Sequence, residues 1–519
     1  MYIKNSEMSS NEMIASWYRN KNIFITGGSG FVGVCLIEKL LRCIPDIGDI
    51  YLLLRPKRGK DIDERLKQLK KNSVFEKLLE SESSDKVFDR LKIVSGDVSQ
   101  PNLGLSAEDT QTIIDNVNVI FHSAATLDFA DGLKPTVQIN LLGTRRVVEI
   151  ATQCHSLNAF VHVSSAYVNS FRLQSDEVIY PLTDDPEKII KLVEELSEEE
   201  LDQKTPDLLK GHPNTYTYTK QMAEYEVQKM ETKFPCSIVR PSMITASWKE
   251  PIPGWTISKN GPQGFLMGAS KGIIRRLPVA KDLVYDYIPV DVVVNQLIVA
   301  AVYSATTQAT KVQVYHCTSS TRKPFRWASV QNQINNYLHK YPLKSAVWYP
   351  HLKLLPNVTW FKISAFFVHF LPAIILDGIT KLAGGRPILI KLHRNVNTSL
   401  GLLEKFIFTE FMFTSEKTEN LHKWLLPGDR DKFFLDISTL QWPEYFVDLS
   451  KGVRQYLNNE KMTNIEAARG KNTLLMVLHL LLQIAICTLV WYIFACTTDM
   501  KMTQSAFIVP IFYMLFSLL

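Results

Sequence analysis

Tyr216 and Lys220 stand four residues apart, a spacing that on a helix puts both side chains on one face. An ammonium held beside a phenol stabilises the phenolate and lowers its pKa from about 10 toward neutrality, so the tyrosine can deliver a proton as hydride reaches a carbonyl carbon. Tyr218 competes for the acid role, yet it is two residues from Lys220 and would point away. Upstream, Ser164 and Ser165 close an apolar run, where a hydroxyl can polarise a carbonyl oxygen. A second constellation could hold the hydride donor. The run NIFIT leads into Thr26-Gly27-Gly28-Ser29-Gly30-Phe31-Val32-Gly33 and then a helical pattern. Glycines at 27, 30 and 33 allow a tight turn, backbone approach to a pyrophosphate and close helix packing, with Thr26, Phe31 and Val32 as further contacts. At the end of the next run, YLLL, an NAD site would carry a carboxylate. Here Arg55, Lys57 and Arg58 follow instead, suited to a 2′-phosphate and hence to NADPH, although a solvated basic turn would look the same. Asp97 and Val98 end a third run, where the carboxylate can accept the adenine amino group or cap a helix.

These residues need a scaffold, and the sequence supplies one. From about 22 to 245, β-rich apolar runs alternate with amphipathic stretches, the pattern of a Rossmann-like, doubly wound α/β parallel sheet. Strands are expected at Asn22–Thr26, Ile50–Leu54, Leu91–Gly96, Val117–Ser123, Ala159–Ser164 and Ser237–Arg240, with helices at Phe31–Cys43 and Thr136–Gln153. Ser197 and Glu200 have capping-box spacing in an acidic insertion read as a solvated helix. From about 246 to 345 the pattern loosens around Pro251, Pro253, Gly254, Gly261, Pro262 and Gly264 into what should be loop-rich, substrate-shaping elements. Residues 361–376 are apolar but carry Lys362, His369 and Pro372; a buried helix is preferred there over membrane-surface contact. Residues 386–458 should form a small helical unit. The expected division is an unstructured 1–17, a nucleotide-binding domain at 18–345, a helical domain at 346–460 and a membrane anchor at 472–519.

Composition limits the alternatives. With 519 residues, 46% hydrophobic and 21% charged, the chain should fold as two packed units rather than remain disordered. A net charge of +6 without an Arg-rich arm or basic stripe argues against nucleic acid as a partner. Seven cysteines without a CxxC pair suggest a reducing compartment, and no metal-ligand spacing stands out. No signal peptide opens the chain, so the sequons at Asn357 and Asn397 read as chance matches. Thr473–Cys496 contains His479 and Gln483 but no formal charge, and its length suits a transmembrane helix rather than a buried core helix. Arg469 and Lys471 before it keep the large N-terminal part cytosolic. A second apolar run, Gln504–Leu519, could return across the bilayer, lie in its interface or pack on the first.

The ordered set of glycine turn, strand-end serine and Tyr-x-x-x-Lys resembles the extended short-chain dehydrogenase/reductase superfamily. HSAATLDF at 122–129, HVSSAYVNS at 162–170, PNTYTYTK at 213–220, RPSMITASWKEPIPGW at 240–255, NGPQGFLMG at 260–268 and YIPVDVVVN at 287–295 resemble alcohol-forming fatty acyl-CoA reductases. LPAIILD at 371–377 and LQWPEYFVDLSKGVRQYL at 440–457 resemble that family's helical domain, so the likeness covers about residues 18–458. Ser165 and Ser29 stand where the family often has threonine, each keeping a hydroxyl. The resemblance implies Gly27, Gly30 and Gly33 at the pyrophosphate, Arg55 and Lys57 at the 2′-phosphate, Asp97 near adenine, and catalysis by Ser165, Tyr216 and Lys220. The implied reaction is a four-electron reduction of long-chain fatty acyl-CoA by two NADPH: a hemithioacetal loses CoA and the aldehyde is reduced to alcohol. Such an enzyme would be anchored in a bilayer by its C-terminus, in the endoplasmic reticulum by preference or else the peroxisome. Two rivals share parts of the pattern: another extended reductase acting on a lipid or sterol carbonyl, and a non-catalytic membrane protein binding NADP or acyl-CoA.

Overall fold

A computed structural model of the chain describes residues 12–56 and 61–518. Among the described residues a seven-stranded sheet comprises β1 Asn22–Thr26, β2 Ile50–Leu54, β3 Leu91–Ser95, β4 Val117–His122, β5 Ala159–Val163, β6 Cys236–Pro241 and β7 Gln313–Cys317. Every pairing is parallel, in the order β7-β6-β5-β4-β1-β2-β3. Strands such as IYLLL and AFVHV are buried throughout, which is why they read as unbroken apolar runs rather than alternating ones. Strand order reverses on either side of β1, opening a crevice between the carboxyl ends of β1 and β4 where this architecture receives ligands.

Helices α1 Phe31–Cys43, α2 Ile62–Lys70, α3 Leu142–Gln153, α4 Thr215–Gln228 and α5 Val290–Thr306 accompany the sheet. The helix expected over 136–153 is present, with a π-helical stretch at Val137–Leu141 before α3. Ser197 and Glu200 close their reciprocal capping box. The region expected to be loop-rich instead contributes β7 and α5. Val292, Val293, Leu297, Ile298, Val299 and Ala300 of α5 are all buried, so the helix has no polar stripe to betray its period.

The chain divides into two compact units whose segments alternate in sequence. The first holds Met1–Trp255, Val284–Phe325 and Glu410–Gln441; the second holds Thr256–Leu283, Arg326–Thr409 and Trp442–Leu519. The break expected near 345 therefore falls inside a segment of the second unit. Several contacts tie 410–441 to the first: Met412–Phe413 pairs in parallel with Gln174–Ser175, and the buried Glu177 accepts the amides of His316 (2.9 Å), Lys417 (2.5 Å) and Thr418 (3.3 Å). Residues 1–11 lie outside the described residues, but Ile14–Tyr18 forms a short helix where no structure was expected. Asp429 holds it, accepting the Met13 amide at 2.7 Å.

In the second unit the apolar stretch at 361–376 belongs to a longer helix, α6 Val358–Leu382, followed by α7 Leu389–Ile407. Burial was the preferred reading of that stretch. The structure corrects it: Phe366, Phe367, Leu371, Ile374, Ile375 and Ile379 are exposed. Helix α8 Ile465–Thr498 contains the candidate span, and the chain then reverses into α9 Ile508–Leu518. Of the three fates open to the last run, packing on the first is observed, with Phe507 against Phe494 at 5.8 Å and the Trp491 indole donating to Ser505 Oγ at 3.0 Å. Helices α6 and α8 are each long and apolar enough to cross a membrane.

Candidate active site

The β1–α1 turn is built so that nothing larger than hydrogen fits at Gly27 or Gly33. Gly27 has φ +73°, and a Cβ there would lie 2.7 Å from the Ala124 amide nitrogen. At Gly33 a Cβ would overlap the Gly27 carbonyl and sit 2.7 Å from Gly28 Cα. The Gly30 amide donates to Gly27 O at 3.0 Å, closing the turn. Phe31 and Val32 then carry first-turn N–H groups with no helical acceptor, the electropositive end that a pyrophosphate favours. These residues fit a dinucleotide. Thr26 serves differently from expectation: its hydroxyl bonds His122 Nδ1 at 2.7 Å and accepts the Ala124 amide at 3.2 Å, stitching β1 to β4 beneath the turn.

At the end of β2, Arg55 lies 3.9 Å from the Asp97 carboxylate. Asp97 also accepts the amide and hydroxyl of Ser99, each at 2.9 Å, so it caps its own turn while facing the arginine. The Val98 carbonyl accepts from Arg146 at 3.0 Å and the Val98 side chain is buried. Lys57 and Arg58 lie outside the described residues. Sequence reasoning missed Arg65: from α2 its guanidinium donates to Ser29 Oγ at 3.1 Å and to the Arg55 carbonyl, joining the glycine turn to the basic strand end. Only the fold brings residues 29, 55 and 65 together, although a lone arginine on a helix ten residues after Arg55 was a signal to test.

The catalytic candidates converge at the carboxyl end of β5. Ser165 follows the strand as the cap of a short 3-10 turn; its oxygen accepts the Tyr167 amide at 3.2 Å, and its hydroxyl is near enough to the Tyr216 phenol to lower that group's pKa. Tyr216 stands near the start of α4, whose cap is Asn214, and its ring lies 5.5 Å from that of Phe129. Lys220, one turn on and buried, donates its ammonium to the Val163 carbonyl at 2.8 Å. Burial pushes the Tyr216 phenol up to about 12 against the lowering effect of the Ser165 hydroxyl. The expected descent toward neutrality is therefore absent from this state of the site, because desolvation of the phenol dominates. Burial also lowers Lys220 to about 8, while the Glu224 carboxylate pulls it back upward.

Glu224 is a second residue that sequence reasoning overlooked. It forms a fully buried ion pair with Arg240 at 2.6 Å and accepts from Ser164 Oγ at 2.5 Å. That bond separates the two serines: Ser164 is committed to the pair, and Ser165 is left on the side of the phenol. Tyr218 donates to Asp184 at 3.0 Å, away from Lys220.

A seven-stranded parallel sheet with a glycine cradle at its switch point defines a Rossmann-like dinucleotide-binding fold. Residues 25–297 match a family model described as male sterility protein, NAD-binding, and residues 368–460 match the Sterile model of the same description. The Drosophila melanogaster relative CG8306 is 53% identical over 98% of this chain and 99% of its own length. Human fatty acyl-CoA reductase 1 is 34% identical over 96% and 97%. The reductase domain of a nonribosomal peptide synthetase from Mycobacterium tuberculosis shares the fold, with TM-score 0.56 and 18% identity over 85% of this chain and 92% of that one. The chain belongs to the fatty acyl-CoA reductase family and is an oxidoreductase.

Proposed function

We propose that this chain reduces long-chain fatty acyl-CoA to the fatty alcohol with NADPH, releasing CoA. The observation that carries the reading is the convergence of Ser165, Tyr216 and Lys220 at the carboxyl end of β5, with the Ser165 hydroxyl near enough to the phenol to lower its pKa, in the same unit as the glycine cradle. When bound, the nicotinamide supplies hydride, first to the thioester carbon and then to the aldehyde carbon. Tyr216, kept neutral by burial, hands its proton to the oxygen that gains charge, and the Ser165 hydroxyl steadies that oxygen. Lys220 lowers the cost of the phenolate left behind. Over both rounds the thioester takes up two hydrides and two protons and becomes a primary alcohol and the CoA thiol. The buried thiols of Cys35, Cys236 and Cys317 are pushed up by burial and make poor nucleophiles, which favours direct reduction over an acyl-enzyme. Arg55, Arg65 and Lys57 would read the 2′-phosphate.

Helices α8 and α9 would hold the enzyme at a bilayer, the endoplasmic reticulum by preference and the peroxisome as the alternative, with the reductase unit in the cytosol. Incubating the purified chain with acyl-CoAs of graded length plus NADPH, then identifying lipids by mass spectrometry, tests the function. Fatty alcohol and free CoA are expected; turnover of a sterol ketone with acyl-CoA untouched would overturn the assignment.

A further inference from the structure

Helix α6 is inside out by the standards of a water-soluble protein. Its inward face holds Ser364, His369 and Asp377 with the small Ala365 and Ala373, while Ile374 and Ile375 are 50% and 54% exposed and Ile379 57%. The inward groups are committed. His369 accepts the amides of Arg275 and Arg276 at 3.0 and 3.2 Å, Ser364 accepts from Arg276 at 3.2 Å, and Asp377 caps α7 through the amides of Ile388, Leu389 and Ile390. Helix α5 shows that this chain buries an apolar helix when water surrounds it. Satisfied polar groups inside and aliphatic side chains outside suit hydrocarbon as the surrounding medium.

Charge selects the lipid. Lys381, Arg386, Lys391 and Arg394 are exposed at and after the α6–α7 turn, where Asp377 is engaged in capping and Glu404 lies a further ten residues along the chain from Arg394. Polarity selects the geometry. Helix α7 carries Lys391, Arg394, Asn395, Asn397 and Thr398 and cannot return the chain through a bilayer, so α6 cannot cross it either. The patch is also continuous with the anchor, since Arg275, whose amide bonds His369 of α6, reaches His479 of α8 at 3.5 Å. We propose that α6 lies in the plane of one leaflet of an anionic bilayer, its Ile and Phe face in the acyl region and the basic turn at the headgroups. This is a second membrane contact, separate from the C-terminal anchor and from the reductase assignment.

Lipid photolabelling of the full chain tests it. Protein would be bound to vesicles of phosphatidylcholine and phosphatidylserine carrying a diazirine on the acyl chain, irradiated, and its adducts mapped by mass spectrometry. Adducts on the outward face of α6 as well as on α8 are expected, with the α6 yield falling about tenfold in phosphatidylcholine alone. A double variant, Ile374→Lys with Ile375→Lys, changes two exposed positions and should lose α6 adducts about tenfold while α8 labelling and the thermal midpoint persist. Labelling confined to α8 would overturn the proposal and leave the anchor standing. Absence of labelling on both would overturn the two together, and α6 labelling indifferent to phosphatidylserine or to the double variant would refute the leaflet geometry. None of these readouts depends on turnover.

Discussion

At the scale of single residues, the site separates two roles that look alike in sequence. Ser164 and Ser165 are adjacent hydroxyls, but one bonds a buried carboxylate while the other lies by the phenol and lowers its pKa. Tyr216→Phe removes the proton donor and leaves the glycine cradle intact, so alcohol formation should fall about a hundred- to ten-thousandfold with NADPH affinity largely kept, as titration calorimetry would show. Near-normal turnover would move the acid elsewhere. The Lys220 ammonium, lowered to about 8, is present below that pH and lost above it. Log kcat/KM should therefore decline with unit slope as pH rises past about 8, and a Tyr216 limb would lie far higher. At the strand end, Arg65→Ala and Arg55→Ala should each raise the KM for NADPH about tenfold while changing that for NADH little, since a guanidinium hydrogen bond to a phosphate is lost. Equal effects on the two nucleotides would deny both residues the 2′-phosphate. Tyr216, Lys220, Ser165 and the glycines were legible because local spacing carries their chemistry. Arg65 and Glu224 were not, because their partners are distant in sequence.

At the scale of elements, the six strands read from sequence correspond to β1 through β6 within a residue or two at each end. Continuous Val, Ile and Leu runs bounded by turns are what a sheet covered on both faces requires. The seventh strand and α5 escaped because neither shows an amphipathic alternation. The attachment of 410–441 to the first unit was equally invisible, since its contacts, among them those of Glu177, an unremarkable glutamate in a loop, join residues far apart in sequence. Replacing it, Glu177→Ala, would strand the amides of His316, Lys417 and Thr418 without an acceptor. A loss of about 3 kcal/mol is expected, read as a lower midpoint in urea unfolding followed through the first unit. An unchanged midpoint would mean that another contact holds the segment.

For the whole molecule, the chain combines a reductase unit with a helical unit that exposes apolar surface along α6, α8 and α9. A long acyl chain is a poorly soluble substrate, and a catalyst that resides where such chains reside need not extract them through water. The apolar tail was plain in the sequence because length and the lack of charge suffice to mark it, whereas exposure of α6 depended on which face the fold turned inward. If one site reduces the thioester twice, the purified chain supplied with acyl-CoA and with NADPH bearing deuterium at the transferred position will make a fatty alcohol carrying two deuterium atoms on its first carbon. An alcohol with one deuterium, or an unlabelled product, would show that a single site does not deliver both hydrides.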